Sequence, residues 1–354
     1  MSKLELLDAL RGKRTKAVPW FPYTGVHCAY LIGEKADDYL KDPDLIAKGV
    51  LFTAERYKAD GMPLVFDLAV EASALGCALE WHADNPPSVS GHPLAEQSLA
   101  EAGLTVPTAR DGRWPVVVEA GQKIMQNKGD WALVGLFCGP LTLAAHLRGT
   151  KLFTDLVKNK ELAAEIISFS GRVIAESARI YRDIGCEVLG IVDPVASQIH
   201  PDTFREFVAP HCQEAIDVIH SAERTSIFLT CGDASKVMED ICKLGVHSFS
   251  CDEQVNLNYA RDLALHYGLG FSGSLKLTMS LMLGMVDPRE DAITSLSAGG
   301  STGYVLAPGC NVPYNVPPEN IDKVLDAMAW HQKYYPHYPD FKGFTKTGSD
   351  CSVL

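Results

Sequence analysis

From Arg172 to Val305 the chain alternates between short apolar runs and stretches with helical spacing, at intervals of about 20 to 40 residues. Strands joined through intervening helices lie parallel, because the right-handed crossover brings each new strand back beside the last. Read along the whole chain, the runs are Val18–Pro22, Pro63–Asp67, Ala132–Cys138, Glu187–Asp193, Ser226–Thr230, His247–Cys251, Gly268–Ser272 and Gly303–Ala307. Eight such strands in 354 residues predict an α/β fold, a single (β/α)8 TIM-type barrel over residues 1–354, with a doubly wound open sheet as the alternative. Predicted helices include Pro43–Ala59, Ala163–Asp183 and Pro318–Tyr334, and one opening at Asp287-Pro288 with the acid as N-cap. Residues 80–129 read as an insertion between the second and third strands, and residues 335–354 as a tail without periodicity.

Composition narrows the function. A net charge of −12 argues against binding to nucleic acid or anionic membrane. The opening MSKLELLDALRGKR lacks the apolar centre of a signal peptide, and no apolar run approaches the roughly 18 residues of a membrane span. Ten cysteines in such a chain are expected to be reduced thiols in a cytoplasm. Gly268, Gly270 and Gly273 match GxGxxG but follow a helix and fall inside a strand, so they read as a strand with a tight exit and not as a dinucleotide loop.

In a barrel the chemistry gathers where strands end. Those positions hold Tyr23 and His27, then Asp67 with Glu71, Cys138, Asp193, Cys231, Cys251 with Asp252, Ser272 with Ser274, and Cys310. Acids and thiols thus converge on one face. A carboxylate at the end of an apolar strand is costly to bury without a partner or a task, so Asp67 and Asp193 are candidates for catalysis, with a cap or ion pair as the alternative. His27 is a candidate base or a hydrogen-bonded structural residue. Cys231 and Cys310 are two of the thiolates a catalytic zinc would need, or two half-buried thiols. Cys138, Cys186, Cys212 and Cys242 read as packing residues.

The same residues carry a resemblance. DLAVEASALGC (Asp67 to Cys77), LTCGD (Leu229 to Asp233), DPVAS (Asp193 to Ser197) and VLAPGCNVPYNVPPENI (Val305 to Ile321) resemble segments of corrinoid (cobalamin)-dependent methyltransferases of the uroporphyrinogen decarboxylase superfamily. Within that group the chain looks most like an O-demethylase methyltransferase. The arginine-rich stretch of the true decarboxylases is replaced by PWFPYTGVHCAYLIG. The resemblance implies a barrel and a zinc ion held by a His-x-Cys pair and a distant Cys. Here Cys231 and Cys310 remain and Leu229 replaces the histidine, so Glu71 is the first substitute ligand, with His27 and Asp252 next.

On this reading a methyl group passes from a small methylated substrate, an aryl methyl ether, to the cobalt of a separate corrinoid protein. The metal stabilises charge on the ether oxygen, Asp193 or His27 supplies a proton, Asp67 assists, and Tyr23, Asp252 and Ser274 bind substrate. No DxHxxG cobalamin motif is present, so the carrier must dock over the barrel mouth. Methyl transfer from methylcobalamin to a thiol or pterin is the alternative. A metal-free decarboxylase is the alternative of another class.

Overall fold

Prolines decide where the expected barrel departs from regularity. The structure is a computed structural model and describes residues 2–334, so the predicted tail at 335–354 lies outside the described residues. The strands are β1 (Gly61–Pro63), β2 (Ala78–Glu80), β3 (Ser88–Gly91), β4 (Ala132–Cys138), β5 (Val188–Val192), β6 (Thr225–Leu229), β7 (Ser248–Ser250), β8 (Gly270–Leu275) and β9 (Tyr304–Pro308). Seven of them form one parallel sheet in the order β1-β4-β5-β6-β7-β8-β9, while β2 and β3 make a separate antiparallel hairpin.

The expected first strand, Val18–Pro22, does not form as a strand. Pro19 and Pro22 have no amide hydrogen to give, so a full ladder cannot run through them. The segment still fills the eighth place. The Phe21 amide donates to the Leu306 carbonyl at 3.0 Å and the Leu306 amide to that of Pro19 at 2.9 Å. On the other side the Asp60 amide donates to the Trp20 carbonyl at 2.9 Å. The curled sheet is therefore joined across its gap by an irregular strap.

Two apolar layers follow from strand alternation. Phe21, Tyr23, Val134, Leu136, Val192, Ile227, Leu229 and Val305 fill the interior. The outward side chains meet the helices. At Gly135 a side chain would overlap the Tyr181 ring, so glycine lets the helix Lys160–Ile184 lie close to β4. Asp287 caps its helix as expected, its Oδ1 accepting the Arg289 amide at 2.8 Å. Gly268 ends the helix Leu257–Tyr267 with φ of 69°, and Gly270 sits where a Cβ would come within 2.5 Å of the Ala9 carbonyl. Gly268 thus lies outside the strand that was expected to begin there, while Gly270 and Gly273 lie within β8.

The insertion is shorter than predicted. Trp114–Asn127 is a crossover helix of the barrel, burying Trp114, Val117, Ala120, Gly121 and Ile124 along one face. What leaves the barrel is the β2–β3 hairpin and the loop up to residue 113. Among the described residues no helix is long and apolar enough to cross a membrane.

Candidate active site at the barrel mouth

A cavity of about 370 Å³ opens at the C-terminal ends of the strands. Its floor is built from residues that follow strands: Phe66 and Leu68 after β1, Pro194 after β5, Cys231 after β6, Cys310 and Asn311 after β9. The hairpin covers it with Pro86, Pro87, Ser88 and Val89, and His92 and His146 complete the wall. A larger cavity of about 570 Å³ lies at the opposite end, lined by Arg14, Trp20 and Asp60 among others. Barrel chemistry belongs at the C-terminal face, where the loops vary without disturbing the strands, so the smaller cavity is the candidate site.

Cys231 and Cys310 meet there as the strand-end reading expects, their Cα atoms 6.0 Å apart. The structure joins them as a disulfide, whereas the composition predicts reduced thiols. The other described cysteines are all buried and free. Alkylation of the native protein should therefore leave Cys231 and Cys310 unmodified before mild reduction and label both afterwards, while the buried thiols stay unreacted. Peptide mass spectrometry reads the result, and labelling before reduction would show the pair to be open.

The acids and the histidine have other work. Asp193 is fully buried. Its Oδ2 accepts the Leu141 amide at 3.0 Å, and its Oδ1 accepts the Thr142 amide at 3.0 Å and the Thr142 hydroxyl at 2.5 Å. It thus caps, from across the sheet, the helix Pro140–Arg148, with Gly139 making room for it. Burial raises its pKa to about 6 and these hydrogen bonds oppose the rise. Asp67 forms an ion pair with Arg113, and its Oδ1 accepts the Ala69 amide at 2.8 Å. His27 lies between the Tyr57 hydroxyl (2.8 Å) and the Tyr314 carbonyl (2.9 Å), and burial lowers its pKa to about 4. None of the three lines the cavity among the described residues. Of the expected substrate contacts, Tyr23 is buried against the Ser272 hydroxyl at 2.7 Å, Asp252 accepts the Gln254 amide at 3.0 Å, and Ser274 is buried in β8. These too lie off the cavity wall.

Glu71 does not reach the cysteines. Its Oε1 accepts the Cys138 amide at 3.4 Å, and its Oε2 is buried with no hydrogen bond. Burial lifts its pKa to about 7. Between the ordinary glutamate value and about 7 the folded chain keeps a proton that the unfolded chain has lost, so this group lowers stability as pH rises through that window. Glu71→Gln should match the parent near pH 4 and exceed it by about 2–3 kcal/mol above pH 8. Urea unfolding at the two pH values reads the difference, and a constant offset would contradict it.

These residues do not fit the expected zinc. A catalytic zinc takes three protein ligands. Leu229 supplies none, Glu71 lies against the Cys138 amide, His27 is held between Tyr57 and Tyr314, and Asp252 accepts the Gln254 amide. Among the described residues no group of three His, Cys, Asp or Glu side chains is placed to hold a metal ion. The donor set does not fit the ion. His92 and the Pro86–Val89 turn belong to HADNPPSVSGHP in the insertion, a segment that the sequence leaves as either a site cover or a peripheral loop, and they line the cavity; what sequence reasoning missed is Asn311 beside Cys310, and His146 on a helix. Adjacency to Cys310 was the signal for Asn311. His146 carried none.

Comparison with known proteins agrees with this fold. The profile of the family "Uroporphyrinogen decarboxylase (URO-D)" matches residues 1–331. A methylcobamide:CoM methyltransferase MtaA of Methanosarcina barkeri is 27% identical over 94% of this chain and 98% of its own. A uroporphyrinogen decarboxylase of Anaeromyxobacter dehalogenans is 25% identical over 81% of this chain and 85% of its own. A solved methyltransferase from Methanosarcina mazei superposes with a TM-score of 0.84 at 27% identity, covering 93% of this chain and 98% of that one. The chain belongs to the uroporphyrinogen decarboxylase (URO-D) family.

Proposed function

We propose that the protein is a corrinoid-dependent methyltransferase that moves a methyl group between the cobalt of a separate corrinoid protein and the sulfur of a small thiol. The observation that carries this is the cavity at the strand ends with Cys231 and Cys310 in its floor, in a chain that aligns almost end to end with methylcobamide:CoM methyltransferases. Those relatives favour a thiol acceptor over the aryl ether that the sequence segments imply. A cavity of about 370 Å³ holds a small molecule and not a corrin ring, so the carrier protein presents its cobalt from outside.

The docked corrinoid would supply the methyl group. The bound thiol, uncharged on entry, would take it on sulfur and give its S–H proton to solvent at the cavity mouth, leaving the electron pair of the broken cobalt–carbon bond with the carrier. The chain's own contribution is positional. The apolar walls from Phe66, Leu68, Pro87 and Val89 exclude water and hold the acceptor, and a well-aligned pair of reactants gains much of the barrier from lost freedom already surrendered on binding. The β2–β3 hairpin is the natural cover.

Demethylation of an aryl methyl ether is the second reading, favoured by Leu229, which puts an apolar side chain where a thiol-transferring enzyme is expected to carry histidine. The test is anaerobic mixing of reduced protein with methylcobalamin and 2-mercaptoethanol, and separately of cob(I)alamin with anisole, followed by visible absorbance. The account predicts demethylation in the first mixture. A change in the second alone would transfer the assignment to the ether, and no change in either would contradict methyl transfer.

A further inference from the structure

The cavity is walled mainly by apolar groups, and among the described residues its lining contains no lysine or arginine. Arg113 and Arg148 are already committed. Arg113 is paired with Asp67 and lies 5.0 Å from the centre of the Trp81 ring. Arg148 is bonded to Asp155 at 2.8 Å and to the Leu94 carbonyl at 2.5 Å. The helix Pro140–Arg148 begins at this end of the barrel, and its free amides would suit an anion. Asp193 already occupies them through Leu141 and Thr142. A sulfonate or carboxylate entering the cavity would lose its water and meet no counter-charge.

Neutral polar groups do face in: Ser88, His92, His146 and Asn311 are in the wall, and Asn311 Oδ1 is buried with no hydrogen-bond partner. His146 lines the cavity, and its Nδ1 is buried with no hydrogen-bond partner. A proton on Nδ1 would be a buried, unpaired N–H, so it belongs on Nε2, the nitrogen left toward the cavity. Burial keeps the ring uncharged, its pKa lowered to about 4.

We propose that this cavity selects an uncharged small substrate, gripped by a hydrogen bond from His146 Nε2, and discriminates against anionic ones such as a sulfonate thiol. The inference rests on the methyl-transfer reading for its reaction but not for its binding preference. Coenzyme M, a mercaptoethanesulfonate, would then be a poor ligand here although it is named in the activity of the relatives.

The experiment is calorimetric titration of the reduced protein with a matched pair, 2-(methylthio)ethanol and 2-(methylthio)ethanesulfonate. The neutral ligand should bind at least tenfold more tightly. His146→Leu should weaken it about tenfold and leave the sulfonate unchanged, and His146→Gln, which keeps a donor, should recover most of the loss. Circular dichroism and thermal melting check that both variants fold. Equal or tighter binding of the sulfonate, no binding of the neutral ligand, or an unchanged affinity in His146→Leu would overturn the proposal. Turnover of methylcobalamin in the same preparation is scored separately. A clear binding preference without demethylation would remove the methyl-transfer reading and leave the selectivity standing.

Discussion

Asp193→Ala is expected to lower the free energy of unfolding by about 3–5 kcal/mol. The carboxylate accepts the Leu141 and Thr142 amides and the Thr142 hydroxyl in a fully buried position. Truncation leaves those donors dry and unpaired, and opens a void beside Gly139. Asp193→Asn keeps an acceptor oxygen and should cost only about 1–2 kcal/mol. Urea unfolding measures both. The same substitution has a functional consequence, because the helix it anchors carries His146 into the cavity. The alanine variant should therefore also bind the neutral ligand less well. A loss below 1 kcal/mol would show that the helix Pro140–Arg148 is held by its packing and not by this cap.

Leu229→His is expected to convert a poor metal site into a good one. Residues 229 and 231 are two apart at the end of β6, so their side chains share a face, and Cys310 joins Cys231 there. Reduced wild-type protein offers two sulfurs and should lose zinc to a competing chelator. The variant offers a nitrogen and two sulfurs, the ligand count of a catalytic zinc, and should hold about one zinc per chain with an affinity raised about 100-fold or more. Without metal the buried imidazole should cost about 1–3 kcal/mol of stability, since Leu229 sits in the apolar interior with Val192 and Ile227. Chelator competition with elemental analysis reads the affinity. Equal retention by the wild type would show that a third donor reaches the cysteines from outside the strand ends.

These two predictions turn on what a sequence can and cannot convey. The strands were legible because alternation is a local property: Ala132–Cys138 forms as read, and Glu187–Asp193 differs by one residue at each end. The strap at residues 19–24 was legible as an element but not in its form, since two prolines forbid the ladder that its position in the ring asks for. The helix Trp114–Asn127 falls within the expected insertion at 80–129, although Trp114, Val117, Ala120, Gly121 and Ile124 have the spacing of one buried helix face.

The site divides the same way. Cys231 and Cys310 stand at strand ends, and barrel topology alone brings strand ends together. Asp193 directly follows β5, whereas Asp67, expected at the end of a Pro63–Asp67 strand, lies four residues past β1, which stops at Pro63; their oxygens are taken by a helix N-terminus and an arginine more than 40 residues away in sequence. Spacing tells which face a side chain occupies; it does not tell which distant donor waits on that face. His146 was invisible for the converse reason. It lies within a helix, at a position whose period reads as core or surface, and only the folded hairpin makes that position a cavity wall.

The central claim is that methyl transfer takes place in the cavity floored by Cys231 and Cys310. The most direct measurement supplies methylcobalamin bearing a deuterated methyl group to the reduced protein with 2-mercaptoethanol, without oxygen, and follows the labelled thioether by mass spectrometry. The account predicts labelled product in step with loss of methylcobalamin, well above the protein-free rate, and a fall toward that rate in a folded Val89→Trp variant, whose ring would fill the cavity from the hairpin. No labelled product from the wild type, or an undiminished rate in the Val89→Trp variant, would contradict it.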